Sequence, residues 1–304
     1  MNSPKPRTST AKAITGLALG ALFASLVPGL VQASEPPKPG EVFKDCKDCP
    51  ELVVLPAGTF TMGTPEDEQG READEGPMHE VTFAKPLAMS RFQVLSGEWN
   101  AYLKDSGYTM PNGDDRPGRE CLAGVPRYAL SDEYKRGDKH RYPAVCMDFH
   151  EAQAYADWLS KKTGKHYRLL SEAEREYAAR GGSKGPQPFP RDEGKAYSIA
   201  KHANTYGPED GFSYLAPAGS YAPNAFGIYD AHGNVYEWTA DCQNDSYAGA
   251  PSDGSAWTQG DCVVRMIRGN DWTEAPIFSR SGNRNYRRPE TRGDWIGFRV
   301  VREL

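Results

Sequence analysis

The chain has 304 residues, of which 38% are hydrophobic and 25% are charged, and its formal net charge at pH 7 is −5. Lysine and arginine are scattered among acidic residues, so the composition excludes neither enzymes nor binding proteins but argues against nucleic acid or an anionic membrane as a partner. The 31 glycines and 24 prolines indicate a fold rich in loops.

The amino-terminal segment 1–33 is typical of an export signal. Three basic residues precede an apolar run over 13–30, and Val31-Gln32-Ala33 is a small-residue cleavage site. A membrane anchor is the alternative, but glycine and proline interrupt the run and it is short for a spanning helix. We therefore expect a periplasmic or secreted protein, exported by the Sec route and without a membrane span after cleavage.

The segment 34–45 begins with the Pro-rich sequence SEPPKPGE, which predicts a flexible tether ahead of one domain over 46–304. All six cysteines lie in that domain, and an even number in an exported chain favours disulfides. Cys46 and Cys49 could pair with each other or mark a metal knuckle. Spacing alone suggests two further pairs, Cys121 with Cys146 and Cys242 with Cys262, and other pairings remain open.

The predicted strands lie early in the domain. The segment 51–61 (ELVVLPAGTFT) alternates and is rich in β-branched residues, which predicts a strand that turns at Pro56-Ala57-Gly58. A second strand is predicted over 80–83, after an acidic, glycine-bearing loop over 62–79.

Three helices are predicted from apolar residues at helical spacing. The first covers 96–106 and the second 148–162, with Ser96 and Asp148 as N-caps and Gly164 as the end of the second. The third begins at Ser171, where Glu174 completes a capping box, and ends at Gly181. Helices separated by long irregular segments and short strands indicate an α+β fold class.

Five blocks of sequence, in the same order, resemble the formylglycine-generating enzyme or sulfatase-modifying-factor family. They are LPAGTFTMG (55–63), EGP with HEVT (75–82), YRL with SEAEREYAARGG (167–182), NAFGIYDAHGNVYEW (224–238) and IGFR (296–299). The resemblance covers 51–304 and implies that family's fold, a loop-rich single α+β domain distantly related to C-type lectins.

The resemblance also implies two structural calcium sites. The first set of ligands is the side chains of Asn204 and Asp210 with the carbonyls of Thr205 and Phe212. The second set is the side chains of Asp230 and Glu237 with the carbonyls of Gly233 and Val235. Calcium takes six to eight such oxygens from loops that curl around it. The alternative is ordinary turn chemistry, since Asp-Gly and Gly-Asn pairs are common in turns.

Copper chemistry is not expected. Family members that make formylglycine carry a copper-binding cysteine pair after an Arg-Gly-Gly-Ser-like turn, whereas this chain has no cysteine after Cys262. A gap-free placement puts Glu274 and Ser279 where the two thiolates would be, and Cu(I) selects sulfur over oxygen. The six histidines are spread singly, so an iron centre is not expected either.

The cleft that the family uses would be lined here by carboxylates, aromatic rings and one arginine. The catalytic candidates are Asp271, Glu274, Arg284 and Glu290, and the substrate-binding candidates are Tyr236, Trp272 and Trp295. Aromatic rings would stack on a flat substrate, a carboxylate would act as base, and Arg284 would hold an anionic group. The alternative is that the tryptophans belong to the core, Arg284 pairs with an acid and Glu290 is solvated.

Two classes of function follow from these observations. The family includes a periplasmic oxidoreductase required to mature the chromophore of the siderophore pyoverdine, and this chain shares its export signal and its missing copper pair. We therefore expect an oxidoreductase or maturation factor that acts on a secreted peptide, siderophore or protein. The alternative is a non-catalytic, lectin-like binding module for a glycan or an envelope protein. A cleft carboxylate whose pKa is strongly shifted by burial would favour the first class.

Overall fold

The computed structural model describes residues 37–111, 121–122, 125–126, 134, 137–183 and 199–304, together with positions 1, 3 and 8–10. Apart from those few amino-terminal positions, the predicted export signal over 1–33 lies outside the described residues. A search of the described part of the chain finds no helix with the length and apolar character needed to cross a bilayer.

Short strands and three α-helices make up the regular structure of these ranges. The strands are β1 (Val42–Phe43), β2 (Leu52–Leu55), β3 (Gly58–Met62), β4 (His79–Phe83), β5 (Leu87–Ser90), β6 (Cys121–Leu122), β7 (Val125–Pro126), β8 (Tyr167–Leu169), β9 (Tyr236–Gln243), β10 (Asp261–Arg268), β11 (Asn285–Arg287), β12 (Ile296–Phe298) and β13 (Val300–Arg302). The helices are α1 (Ser96–Ser106), α2 (Phe149–Thr163) and α3 (Glu172–Arg180). The predicted α+β class is confirmed.

Two sheets organise the domain. One has the strand order β1-β2-β5-β13-β8, and the other has the order β11-β10-β9-β12, in which β12 runs parallel to β9. The predicted strand over 51–61 proves to be two strands in different sheets, since β2 belongs to the five-stranded sheet while β3 pairs only with β4 among the described strands. All four residues of β2 are buried, which places this strand in the core.

The capping signals of two helices were predicted correctly. The Asp148 side chain accepts a hydrogen bond from the amide of Glu151 at 2.9 Å, and Ser171 Oγ accepts one from the amide of Glu174 at 3.0 Å. Gly164 and Gly181 end their helices in the left-handed conformation, as expected.

The predicted N-cap of α1 is wrong by one residue. Ser96 is the first helical residue, and Leu95 occupies the N-cap position, where its amide donates to Glu98 Oε2 at 2.9 Å. The Ser96 hydroxyl instead donates to the carbonyl of Lys139, so a tertiary contact takes it away from the helix end.

The ordered domain begins earlier than Cys46. Strand β1 pairs with β2, the Gly40 amide donates to the Val54 carbonyl at 2.8 Å, and Asp45 accepts a hydrogen bond of 2.6 Å from the Tyr167 hydroxyl. The second half of the predicted tether over 34–45 is therefore part of the domain.

All six cysteines form disulfides. The bonds join Cys46 to Cys49, Cys121 to Cys146, and Cys242 to Cys262, which confirms the pairs suggested by spacing. The third bond ties the end of β9 to the start of β10, next to the strands that carry the candidate site. No thiol remains as a ligand for a soft metal ion.

Helix α3 is buried along its whole length although half of its residues are charged. All nine of its residues are buried, and the charged ones are Glu172, Glu174, Arg175, Glu176 and Arg180. A buried charge requires a partner of opposite sign. The partners are supplied largely by the four-stranded sheet and the segments that follow it, so the helix fixes the position of those segments.

Candidate functional site

The buried ion pairs of α3 place one of the functional candidates, Arg284. Glu172 pairs with Arg268 at 2.9 Å and with Arg284 at 2.7 Å, and Glu176 pairs with Arg268 at 2.5 Å. Burial alone would raise the pKa of Glu172, but the guanidiniums of Arg284 and Arg268 hold it below its ordinary value. The Arg284 side chain is fully buried and also lies 4.4 Å from the centroid of the Tyr247 ring. The expected substrate-binding arginine is therefore committed to this internal network.

The turn after β10 directs Asp271 inward. Gly269 and Asn270 both have positive φ, at 105° and 67°, which reverses the chain within two residues. A Cβ atom at Gly269 would lie 2.3 Å from Arg175 Nη2, so a side chain does not fit there. The side-chain Nδ2 of Asn270 donates to Ser279 Oγ at 2.7 Å, and this bond stabilises the turn.

Asp271 is a buried carboxylate with hydroxyl and amide donors but no counter-ion. Its side chain is 2% exposed, and Oδ1 accepts bonds from the amide and the hydroxyl of Thr273 at 2.6 and 2.7 Å. Within the described ranges, no lysine or arginine forms an ion pair with it. Burial raises the pKa of Asp271 to about 7, nearby Glu274 adds to the rise, and the Thr273 bonds and Arg287 oppose it.

Aromatic side chains lie on the strands and turn next to Asp271. Parallel pairing of β12 with β9 sets Trp295 beside Tyr236, and the two rings meet edge to face with centroids 6.2 Å apart. Burial raises the pKa of the Tyr236 hydroxyl, and the charges of Glu274 and Asp271 add to the rise. Trp272 donates through Nε1 to the carbonyl of Asp294 at 3.2 Å.

Trp272 also lines a pocket of about 250 Å³ whose other walls come from the segment 205–213. That segment contains Thr205 and Phe212 of the first predicted calcium set. It joins the candidate cleft directly, because the amide of Tyr206 donates to the carbonyl of Glu274 at 2.9 Å.

Arg287 is the cation of the cleft that sequence reasoning missed. Its guanidinium lies 5.2 Å from the centroid of the Trp295 ring and donates to Asn285 Oδ1 at 2.5 Å, while Asn285 Nδ2 lies 3.4 Å from the Tyr236 hydroxyl. Asn285 and Arg287 are two apart on β11 and so share a face of the strand. The alternation of side chains in the sequence NYR could have indicated that Arg287 lies on the same face of the strand as Asn285.

The structure thus brings together five of the seven predicted cleft residues. These are Tyr236, Asp271, Trp272, Glu274 and Trp295. Arg284 belongs to the α3 network, and Glu290 is exposed on the segment after β11. Ser279, the position of the second copper thiolate in the gap-free placement, is buried, and its hydroxyl accepts the bond from Asn270.

The first predicted calcium set has the donor chemistry that calcium requires. Asn204 Oδ1 is buried and has no hydrogen-bond partner among the described residues. Asp210 accepts bonds from the amides of Thr205 at 2.7 Å and Phe212 at 2.9 Å, so its carboxylate is held against the two residues whose carbonyls complete the set. Burial raises the pKa of Asp210, and a bound cation would offset that cost.

The second predicted calcium set is engaged in other contacts. Glu237 forms ion pairs with Arg175 at 2.7 Å and with Arg299 at 3.0 Å. The carbonyls of Gly233 and Val235 lie 3.4 and 3.1 Å from Gln93 Nε2. In the described part of the chain, no group of three or more histidine, cysteine or acidic side chains is arranged to hold a metal ion.

Comparison with known proteins agrees with this architecture. The family model for the sulfatase-modifying factor enzyme 1-like domain matches residues 38–304. The chain is 28% identical over 290 residues to the inactive C-alpha-formylglycine-generating enzyme 2 of Bos taurus, covering 82% of this chain and 87% of that protein. It is 30% identical over 222 residues to the formylglycine-generating enzyme of Thermomonospora curvata, covering 62% and 71% of the two chains.

Solved structures give the same result. The structure of PvdO from Pseudomonas aeruginosa is 66% identical in sequence, superimposes with a TM-score of 0.82, and covers 88% of this chain and 100% of its own. Treponema denticola variable protein 1, at 20% identity and a TM-score of 0.65, shares the fold. The match over 38–304, the five ordered sequence blocks and the cleft built on β9, β10 and β12 together show that this chain belongs to the formylglycine-generating enzyme (sulfatase-modifying factor) family.

Proposed function

We propose that this protein is an exported oxidoreductase that matures a secreted siderophore or peptide, with Asp271 as the general base of the cleft. The observation that carries the proposal is the position of Asp271, a buried carboxylate without an ion-pair partner among the described residues, in the turn that also carries Trp272. Glu172 and Glu237 are instead paired with arginines, and Asp241, whose pKa burial also raises to about 7, is held by the backbone amides of Glu172 and Trp257 at the amino-terminal end of α3. An unpaired buried carboxylate is costly, and such groups are typical of active sites.

The proposed reaction removes two hydrogens from the substrate. One leaves as a proton taken by Asp271, and the other leaves as a hydride equivalent accepted by dissolved dioxygen. The proton on Asp271 then passes to the reduced oxygen, so substrate and dioxygen give the unsaturated product and hydrogen peroxide. A base whose pKa lies near the working pH suits this step, because it is partly ionised and still accepts a proton readily.

The other cleft residues point to the class of substrate. Trp272 and Trp295 offer ring surfaces on which a flat conjugated group can stack. Arg287 supplies a cation beside Trp295 for an anionic or phenolic oxygen. A siderophore chromophore or an aromatic residue of a secreted peptide combines these two features.

Similarity supports the same assignment. The structure of PvdO from Pseudomonas aeruginosa is 66% identical in sequence to this chain, and the resemblance to the pyoverdine-maturing branch of the family favours a siderophore-related substrate. The three disulfides favour an oxidising compartment. We propose export through a Sec-type signal over 1–33 to the periplasm, and a structural calcium ion at the first set that orders the loop beside Trp272. Copper has no part in the proposed chemistry, since both sulfurs it would need are absent from the cleft.

The test compares the periplasm and medium of the wild type with those of a deletion strain by untargeted mass spectrometry, in iron-replete and iron-starved cultures. We expect the deletion strain to accumulate a precursor heavier than the lost product by two hydrogens. A gene encoding the wild type or Glu290→Gln should restore the product, whereas Asp271→Asn should not, at equal protein levels. Unchanged small molecules and peptides would refute the proposal and favour the lectin-like binding module.

A further inference from the structure

We propose that the second predicted calcium set binds no calcium, because two arginines and a carboxamide of the chain itself take the place of the ion. This inference is independent of the oxidoreductase proposal. It concerns the residues around Glu237, four positions after Gly233 in the sequence. A Cβ atom at Gly233 would lie 2.2 Å from the carbonyl oxygen of Asn204, so the two sets share a wall at this glycine.

The Glu237 carboxylate is already saturated with donors. Oε2 accepts from Arg175 Nε at 2.7 Å and from Arg299 Nε at 3.1 Å, and Oε1 accepts from Arg299 Nε at 3.0 Å and Arg175 Nη2 at 3.3 Å. The side chains of all three residues are only 1 to 2% exposed. A calcium ion would have to displace at least one buried guanidinium to reach this carboxylate.

The Gln93 carboxamide fills the remaining space between the ligand oxygens. Its Nε2 lies 3.0 Å from Glu237 Oε1, 3.1 Å from the Val235 carbonyl and 3.4 Å from the Gly233 carbonyl. The Gln93 amino group, a hydrogen-bond donor, thus lies between the three predicted ligand oxygens of Gly233, Val235 and Glu237. If the carboxamide were turned around, its oxygen would face three acceptors with no donor between them.

Charge balance leads to the same conclusion. Arg175 and Arg299 carry two positive charges, and Glu237 and Asp230 can supply two negative ones, so this buried cluster is neutral without a metal ion. A calcium ion would add two uncompensated charges to an interior site, which is strongly unfavourable. The first set differs, because no arginine or lysine in the described ranges pairs with Asp210.

Two buried oxygens of this cluster decide where the inference is tested. Asp230 Oδ1 and Gln93 Oε1 are buried and have no hydrogen-bond partner among the described residues. If calcium did enter, these two oxygens would be the atoms to turn toward it. Asp230 is therefore the residue at which the inference is tested.

The experiment is equilibrium dialysis of the disulfide-intact protein against radioactive calcium after treatment with a chelator. Asp230→Asn keeps an acceptor for the Gly219 amide, which bonds to Asp230 Oδ2 at 3.0 Å, and circular dichroism checks its fold. We expect Asp230→Asn to bind as many calcium ions per chain as the wild type, with affinity changed less than threefold, and Asp210→Asn to bind at least tenfold more weakly. The wild type should bind one calcium ion per chain, and the inference is overturned if it binds two or if folded Asp230→Asn binds one ion fewer than the wild type. Loss of activity in Asp271→Asn leaves this stoichiometry unchanged, so the two proposals fail separately.

Discussion

Replacing Asp271 by asparagine should make the protein more stable at alkaline pH while removing its activity. The asparagine Oδ1 can still accept the two Thr273 bonds, and the amide cannot ionise. The substitution therefore removes the buried charge while changing the shape of the cleft little. Gain of stability with loss of turnover is the behaviour expected of a group kept for chemistry.

The magnitude follows from the pKa of Asp271, which rises from 3.8 to about 7 on burial. Between these two values the folded state holds a proton that the unfolded state has released, so this carboxyl lowers the free energy of unfolding as pH rises. Each pKa unit corresponds to 1.36 kcal/mol, which gives a loss of about 4 kcal/mol by pH 8. Glu274 and Arg287, which face Asp271, are the same in both proteins.

The assay is urea unfolding of the wild type and Asp271→Asn at a series of pH values between 4 and 8, with the disulfides intact. The two free energies of unfolding should be similar near pH 4, and the variant should gain steadily to about 4 kcal/mol at pH 8. The exposed variant Glu290→Gln serves as the control and should follow the wild type throughout. A difference that does not change with pH, or a variant less stable at pH 8, would refute the assignment of Asp271 as an unpaired buried carboxylate.

Three further predictions concern the neighbouring elements. Glu172→Gln leaves two buried guanidiniums without their shared carboxylate and should lower the free energy of unfolding by about 3 to 5 kcal/mol in urea titrations, while Glu290→Gln changes it little. Arg287→Gln should weaken substrate binding at least tenfold, seen as a higher KM, with stability altered by less than about 1 kcal/mol because Arg287 is only half-buried beside Trp295. Gly233→Ala would place a Cβ atom 2.2 Å from the Asn204 carbonyl at a φ of 71°, and should cost about 3 kcal/mol or more in thermal or urea unfolding.

Local signals predicted the helices and turns well, since their physics lies within a few neighbouring residues. Asp148 and Ser171 bond to amides three residues ahead, and Gly164 and Gly181 supply the left-handed ends. The prediction of Ser96 as an N-cap was wrong because its hydroxyl donates to the carbonyl of Lys139, which is distant in sequence. No window of sequence around Ser96 contains that carbonyl.

The cleft was harder to predict because two arginines with similar local sequences have different partners in the folded chain. Arg284 and Arg287 are three residues apart in GNRNYRR, and only tertiary contacts send one to Glu172 and the other to Trp295. The contacts around the second predicted calcium set could not be predicted for a related reason. Gln93 and Arg175 are far from Glu237 in sequence, and their convergence on its carboxylate requires the folded chain.

The buried charges of α3 also limit how this protein can diverge. Glu172 and Glu176 share Arg268, and Glu172 also holds Arg284, so changing one member leaves an unpaired charge in the interior. Apolar replacement of the whole cluster can be neutral, but it requires several simultaneous changes on segments far apart in sequence. Single substitutions of the charged residues in this helix are therefore destabilising, while the sequences of the loops attached to it can vary. A protein built this way can change the chemistry of its cleft without rebuilding its interior.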